Sequence, residues 1–347
     1  MIDAGVLGRH RTGDETHVRE LLKEVGRHAT GLRIGAVLGD PGLAPHGVTA
    51  LELAPFNQFT RIAWELPRLL RSVDLRLAHF QYLVPPLYRG PSVITVHDLS
   101  FELLPELEER FDGWALRRFV PVSARRARVI FTVSEWTRQD ILRRYHVPPE
   151  RVLVTLNGVS SEFRPDGPRP NRPPYILFVG ALRPRKDPLN AVEAFSRLEG
   201  LDLRLVMVGP DKGLYPRVES LIDRHGLTGR VELKGYVTGH ELAAMYRGAE
   251  CVLLPSLYEG FGLPVVEAMA SGTPVVATNV GAIPEIAGDA AILVPPSDPD
   301  ALAQGVNRAL DARDQFVERG FDRAKMFTWN EVMRRTIDGY RLALRTC

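Results

Sequence analysis

Short apolar runs rich in β-branched residues recur along the chain, at Arg33–Leu38, Val73–His79, Ser92–His97, Val129–Val133 and Val152–Leu156, then at Tyr175–Val179, Leu203–Val208, Val231–Lys234, Cys251–Leu254, Pro274–Ala277 and Ala291–Val294. Runs of this length predict strands. Between most of them, apolar residues fall three and four positions apart, as in Val18, Leu21, Leu22 and Val25 or Ala191, Ala194, Phe195 and Leu198, and predict helices. Strand and helix in alternation predict an α/β fold with parallel sheets. The strand runs divide around Asn157–Pro174, where Pro165, Pro168, Pro170, Pro173 and Pro174 crowd into a stretch with almost no apolar period. That stretch reads as a linker whose prolines limit how freely the halves can swing. The expected layout is a first domain over residues 1–165 and a second over 172–325. Residues 326–347 then carry a helix, Trp329–Leu344, that begins after Thr328 and returns to the first domain. Open parallel sheets bind ligands at the carboxyl ends of their strands, so two such sheets facing each other predict a cleft for two substrates.

A length of 347 residues agrees with two domains. Forty-four basic against 42 acidic side chains leave a net charge of +2, too little to attract nucleic acid, and no nucleic-acid partner is expected. Cys251 and Cys347, the two cysteines, belong to no Cys-x-x-Cys or Cys/His cluster, which argues against a disulfide framework or a zinc site. Met1–Gly5 lacks the charged-then-apolar layout of a signal peptide, and no apolar stretch approaches the ~18 residues that span a bilayer. The reading is a cytoplasmic protein.

Candidate chemistry concentrates after the Cys251–Leu254 run. There Glu259-Gly260-Phe261-Gly262-Leu263-Pro264 leads into a predicted helix that holds Glu267 and ends at Gly272. Proline near a helix start gives up an N–H that has no partner anyway. The remaining free N–H groups and the positive dipole end suit a phosphate or pyrophosphate, while Gly260 and Gly262 let a ligand approach the backbone. Glu259 lies before the helix and Glu267 one turn inside it, so the two carboxylates can address different ends of one ligand, with sugar hydroxyls as natural partners. The plainer alternative is a tight turn with two acids placed favourably on the dipole.

Taken whole, Glu259-Gly-Phe-Gly-Leu-Pro-x-x-Glu267 resembles the E-x7-E signature of retaining glycosyltransferases of family 4, which have the GT-B fold of two Rossmann-like domains. Phe178-Val179-Gly180-Ala-Leu-Arg-Pro-Arg185-Lys186 is similar to the segment in which that family sets a glycine beside the donor and a basic pair on its phosphates. Gly209-Pro210 ends the next strand in the same way and reads equally as a turn or a ligand contact. Val93-Ile-Thr-Val-His97-Asp98-Leu99 resembles the family's strand-end histidine near the donor sugar. His79 has a similar setting without a motif and reads as structural, as do Val133–Thr137 and Asn157–Val159, taken as caps and turns. By this resemblance Glu259, His97, Lys186 and Arg185 are the catalytic set, and Gly180, Glu267, Gly260, Phe261, Gly262 and Leu263 bind the donor.

The resemblance further implies an acceptor-side glycine loop between the first strand and first helix. Arg11-Thr12-Gly13-Asp14-Glu15-Thr16-His17 stands there, with Gly13 kept, Glu15 where a small residue is common, and His17 where an aromatic is common. Gly13, Asp14 and Glu15 become the acceptor-side candidates. An acidic loop, partly offset by Arg9 and Arg11, favours a glycan or lipid-linked glycan over a phosphate acceptor. The first strand is short for such a fold, and a few upstream residues are expected to be missing. A run of arginines between Arg117 and Arg128, interleaved with Phe119 and Val120 and preceded by Trp114, suggests docking on anionic lipid.

The implied activity is retaining transfer of a hexose from a nucleotide diphosphate sugar, with GDP-mannose ahead of a UDP-hexose, with no further cofactor and no metal, since no Asp-x-Asp or His/carboxylate cluster adjoins the phosphate elements. A non-catalytic nucleotide-sugar-binding protein of the same fold is the first alternative. A nicotinamide-dependent dehydrogenase is the second, and it lacks the third glycine of the dinucleotide fingerprint.

Overall fold

The computed structural model describes residues 1–8, 12–27, 31–53, 57–107, 110–198, 200 and 202–345. Arg9, Arg11 and Cys347 lie outside the described residues. The chain divides into two compact units, one made of Met1–Pro105, Glu109–Gly158 and Trp329–Cys347, the other of Val159–Thr328 with a short piece at Glu106–Glu108.

The first unit is built on a seven-stranded sheet of β1 (Ile2–Asp3), β2 (Gly35–Leu38), β3 (Thr49–Glu52), β4 (Ala78–Gln81), β5 (Ser92–Val96), β6 (Val129–Thr132) and β7 (Val152–Val154), ordered β3-β2-β1-β4-β5-β6-β7. Every pairing is parallel. All residues of β2, β5 and β6 are buried, as strands covered by helices on both faces must be. The C-terminal helix Trp329–Arg345 packs in this unit, where Trp329, Val332, Met333 and Ile337 share a core with Val18, Leu21, Leu22 and Val25 of the helix Thr12–Arg27.

The second unit carries β8 (Tyr175–Val179), β9 (Arg204–Val208), β10 (Val231–Gly235), β11 (Cys251–Leu254), β12 (Val275–Thr278) and β13 (Ile292–Val294), all parallel, ordered β10-β9-β8-β11-β12-β13. This is a doubly wound sheet. One core joins one face to the helices Pro188–Ser196, Tyr215–Arg224 and Pro299–Asp311, and a second joins the other face to Gly239–Gly248, Leu263–Ala270 and Ile283–Ala287. The strand order reverses between β8 and β11, and the loops leaving their carboxyl ends part to opposite faces, which opens a crevice there. The proline-rich stretch that opens this unit has no strand or helix, yet it is held: Arg247, buried, donates to the carbonyls of Glu162, Arg164 and Pro168.

Three expectations need correction. Thr12–His17 is no loop: the helix begins at Thr12, and Asp14 and Glu15 fall in its first turn, where acids favour the dipole. The run Val73–His79 yields a strand only from Ala78, and the strand continues to Gln81, because Leu75 and Leu77 pack into the cores from irregular chain. β3 was hidden from the pattern because it is an edge strand with no buried residue, paired on β2 alone.

Candidate functional site

At the crevice of the second unit, β8 runs out at Gly180 and the chain makes a short 3-10 turn, Pro184–Lys186, closed by Asp187 in the left-handed region. Asp187 then caps the helix Pro188–Ser196. From β11 the chain passes through Ser256 to Glu259 and enters the helix Leu263–Ala270 through Gly262 as its N-cap at φ 90. A side chain at Gly262 would be strained there and would meet Ile283 Cδ1 at 2.5 Å, so glycine is required by the backbone. Pro264 stands second in the helix, where it costs no hydrogen bond. Gly209 is held by a different constraint: at φ 148, its Cβ would lie 2.0 Å from the Gly180 carbonyl oxygen, so the turns after β8 and β9 touch through it. The glycine thereby serves the packing of Gly180.

The two turns converge on one carboxylate. Glu259 is buried, Lys186 Nζ donates to its Oε1, Ser256 Oγ donates to the same oxygen at 2.7 Å, and Arg185 Nη1 stands 3.9 Å from Oε2. Arg185 also donates to the Tyr258 carbonyl at 3.2 Å, and its own carbonyl accepts from Leu257 N–H at 2.8 Å, so the two loops are stitched through their backbones. Burial pushes the Glu259 carboxyl up, but Lys186 and Arg185 outweigh burial and hold it below the ordinary carboxylate range. Glu267, one turn into the helix, is buried with no cation paired to it among the described residues: its Oε2 accepts from Tyr246 O–H at 2.9 Å, and burial pushes its carboxyl up to about 7 against the lowering effect of that bond. Gly260 and Phe261 are buried, and the Phe261 ring packs edge-on against Phe327 at 5.6 Å, which ties this side chain to the core. Leu263 is half-buried at the start of the helix.

His97 lies in the first unit, just past β5. Its Nε2 meets Gln81 Oε1 at 2.8 Å, the His17 ring stands edge-on at 4.9 Å, and the Tyr82 ring lies 5.5 Å away. Burial lowers the His97 pKa to about 4 against the raising effect of Asp98, and lowers that of His17 to about 3. Both imidazoles are neutral at pH 7. His17 is anchored through Nδ1 to Asn157 Oδ1 at 2.7 Å. His79 is structural, bonded to Tyr340 O–H and Thr95 Oγ1 at 2.7 Å each. Of the acceptor-side residues, Gly13 is exposed, Asp14 half-buried, and Glu15 buried with its Oε1 accepting from Gly8 N–H at 3.0 Å. Ser134 caps the helix Glu135–Tyr145, as expected, and Asp298 caps the helix Pro299–Asp311. In the arginine-rich stretch, Arg117 and Arg128 donate to the carbonyls of Phe101 and Ala343, while Trp114, Arg118, Phe119 and Arg125 are exposed.

The family model of Glycosyl transferases group 1 matches residues 159–323, and that of Glycosyltransferase Family 4 matches residues 12–163. O-antigen chain mannosyltransferase B of Escherichia coli is 30% identical over 283 residues, which span 74% of this chain and 74% of that protein. The chain belongs to glycosyltransferase family 4. The family-4 chain is also 37% identical over 241 residues to the MMP alpha-(1->4)-mannosyltransferase of Mycolicibacterium hassiacum, across 65% of the one and 57% of the other. Its fold is the GT-B fold: HepE of Anabaena, solved in complex with UDP-glucose, superposes with a TM-score of 0.78 at 17% identity over 98% of each chain.

In this family-4 glycosyltransferase the motif residues of the second unit come together around Glu259, while His97 belongs to a separate cluster in the first unit. Sequence reasoning did not single out Ser256, Tyr246 or Gln81. Ser256 sits three residues before Glu259 within the same segment, so the strand-to-loop spacing could have flagged it. Tyr246 and Gln81 approach only through tertiary packing. Among the described residues no group of His, Cys, Asp and Glu side chains is arranged to hold a metal ion, and no helix is long and apolar enough to cross a membrane.

Proposed function

We propose that the protein transfers a hexose, with mannose first among the candidates, from a nucleotide diphosphate sugar to a glycan or lipid-linked glycan, with retention and without a metal. The donor is held by the second unit and the acceptor by the first. The observation that carries this reading is the convergence of Lys186, Arg185 and the start of the helix Leu263–Ala270 at the carboxyl ends of β8 and β11. Two cations and a helix N-terminus on rigid supports suit a diphosphate whose charge grows as its bond to the anomeric carbon breaks.

Lys186 is ion-paired with Glu259. An arriving diphosphate competes for that lysine, and the released carboxylate becomes an acceptor for hydroxyls of the transferred sugar. In this reading Glu267 takes the ribose hydroxyls and His97 a sugar hydroxyl. The C1–O bond to the diphosphate breaks, a bond from C1 to the acceptor oxygen forms on the same face, and the acceptor proton passes to the leaving phosphate oxygen. Mannosyl transfer is favoured because the Escherichia coli and Mycolicibacterium relatives are both named mannosyltransferases, while the UDP-glucose held by HepE supports a nucleotide sugar as the donor class.

The test is incubation of GDP-mannose and UDP-hexoses with lipid-linked glycan acceptors. Nucleoside diphosphate release and the anomeric configuration of the product are read by NMR. An α-linked product from an α-donor supports the reading. Tight donor binding without release of nucleoside diphosphate would instead make the protein a nucleotide-sugar binder, and an inverted product would remove the retaining assignment.

A further inference from the structure

We infer that Gln81 is a positioning residue that fixes the tautomer of His97, so that His97 offers a bare Nδ1 as a hydrogen-bond acceptor to a hydroxyl-bearing ligand. Gln81 ends β4 and lies in register with Thr95 on β5, two residues before His97, which brings both side chains to the same carboxyl edge of the first unit's sheet. The amide Oε1 faces His97 Nε2 at 2.8 Å. A carbonyl oxygen has only lone pairs to offer, so with the amide in this orientation the proton sits on Nε2, and a neutral ring then leaves Nδ1 unprotonated.

The ring is fixed on other sides as well. Tyr82, a non-glycine residue at φ 60, turns its ring toward His97 at 5.5 Å, and the His17 ring closes edge-on at 4.9 Å, itself tethered to Asn157. Holding Tyr82 in the left-handed region is costly unless the surroundings demand it. The other end of the Gln81 amide has no such partner: Nε2 is buried and makes no hydrogen bond among the described residues. A neutral acceptor at His97 Nδ1 matches a hydroxyl, which can donate to it. A phosphate or carboxylate oxygen would meet the Nδ1 lone pair and be repelled. Among the described residues, the charged or titratable groups that face His97 are His17, His79, Tyr82 and Asp98.

This assignment rests on the reading of His97 as a sugar-facing group, and the experiment separates the two. In the full chain labelled with 15N-histidine, two-bond 1H–15N correlations at pH 7 report the His97 tautomer. The expected result is the Nε2–H form in the wild type and a mixture in Gln81→Leu, with donor kcat/KM reduced on the order of tenfold to a hundredfold, the cost of an unsatisfied site group. Gln81→Glu offers a second readout. Its carboxylate favours the imidazolium, which carries N–H on both nitrogens, so activity should be lost at low pH and return as pH rises through the raised His97 pKa. A wild-type His97 protonated at Nδ1, or a Gln81→Leu variant whose tautomer and kcat/KM match the wild type, would overturn the inference while leaving the transferase reading intact. Absence of transfer by the wild type with every nucleotide sugar tried would defeat both.

Discussion

Glu267 is a buried carboxyl bonded to a tyrosine and, among the described residues, to no cation, and its titration should be visible in the stability of the whole second unit. In the folded chain its pKa is about 7, against 4.5 in the unfolded chain. A folded pKa above the unfolded one means that its contribution is fully present below pH 4.5 and is lost as pH rises through 7. A shift of that size corresponds to about 3 kcal/mol. Glu267→Gln keeps the shape and an acceptor for Tyr246 while removing the titration. The difference in stability between wild type and variant should therefore be constant below pH 4.5, change in the variant's favour between pH 4.5 and 7, and level off above. For a domain of this size that change is worth roughly 6–12 °C in melting temperature. Paired thermal and urea melts from pH 4 to 8.5 measure it, and any fixed cost of the amide drops out of the comparison. A difference that stays flat from pH 4.5 to 8 would refute the burial argument. Because ribose hydroxyls should bind the ionised carboxylate, wild-type affinity for a nucleoside diphosphate should also strengthen as pH rises through 7, and this dependence should vanish in the variant.

Lys186→Ala should lower donor kcat/KM by about 10²–10³-fold, the range for loss of one charge-stabilising donor, while chelator leaves transfer unchanged; full inhibition by chelator would show that a metal does the work assigned to Lys186 and Arg185. Gly209→Ala places a methyl 2.0 Å from the Gly180 oxygen at a backbone angle closed to alanine, and should destabilise the second unit by about 3 kcal/mol or more in denaturant melts; wild-type stability would mean that the two turns do not touch. Trp114 and Phe119 are exposed, with Arg118 against the Phe119 ring, so co-sedimentation with anionic vesicles should fall in a Trp114→Ser, Phe119→Ser double variant and with added salt; binding unaffected by both would assign membrane docking elsewhere.

Much of the second unit is legible in the sequence because its strands lie between covering helices. β8 and β11 match their apolar runs end to end, and the glycine loop, proline and Glu267 fall in register with the helix they predict. The first unit is less legible. β3 is an edge strand with no fully apolar face, and the start of the helix Thr12–Arg27 resembles a loop because Thr, Gly and Asp favour turns and helix starts alike. Within the site, residue types pointed to Glu259, Lys186 and Arg185, but not to their mutual pairing. That pairing depends on two loops from different strands meeting, which no local pattern encodes. For the same reason Phe261, which sits inside the motif, packs on Phe327 in the core, while Ser256 and Tyr246, outside any expected role, hold the two carboxylates.

The claim that the crevice at the ends of β8 and β11 grips a nucleotide diphosphate is tested most directly by a thermal-shift panel of nucleotide sugars and nucleoside diphosphates on wild type and on Arg185→Ala. A ligand at a hundred times its dissociation constant stabilises the fold by about 2.7 kcal/mol. A clear rise in melting temperature with one nucleotide series, GDP-mannose and GDP foremost, that disappears in Arg185→Ala is the predicted result. No response to any nucleotide, or an equal response in the variant, would contradict it.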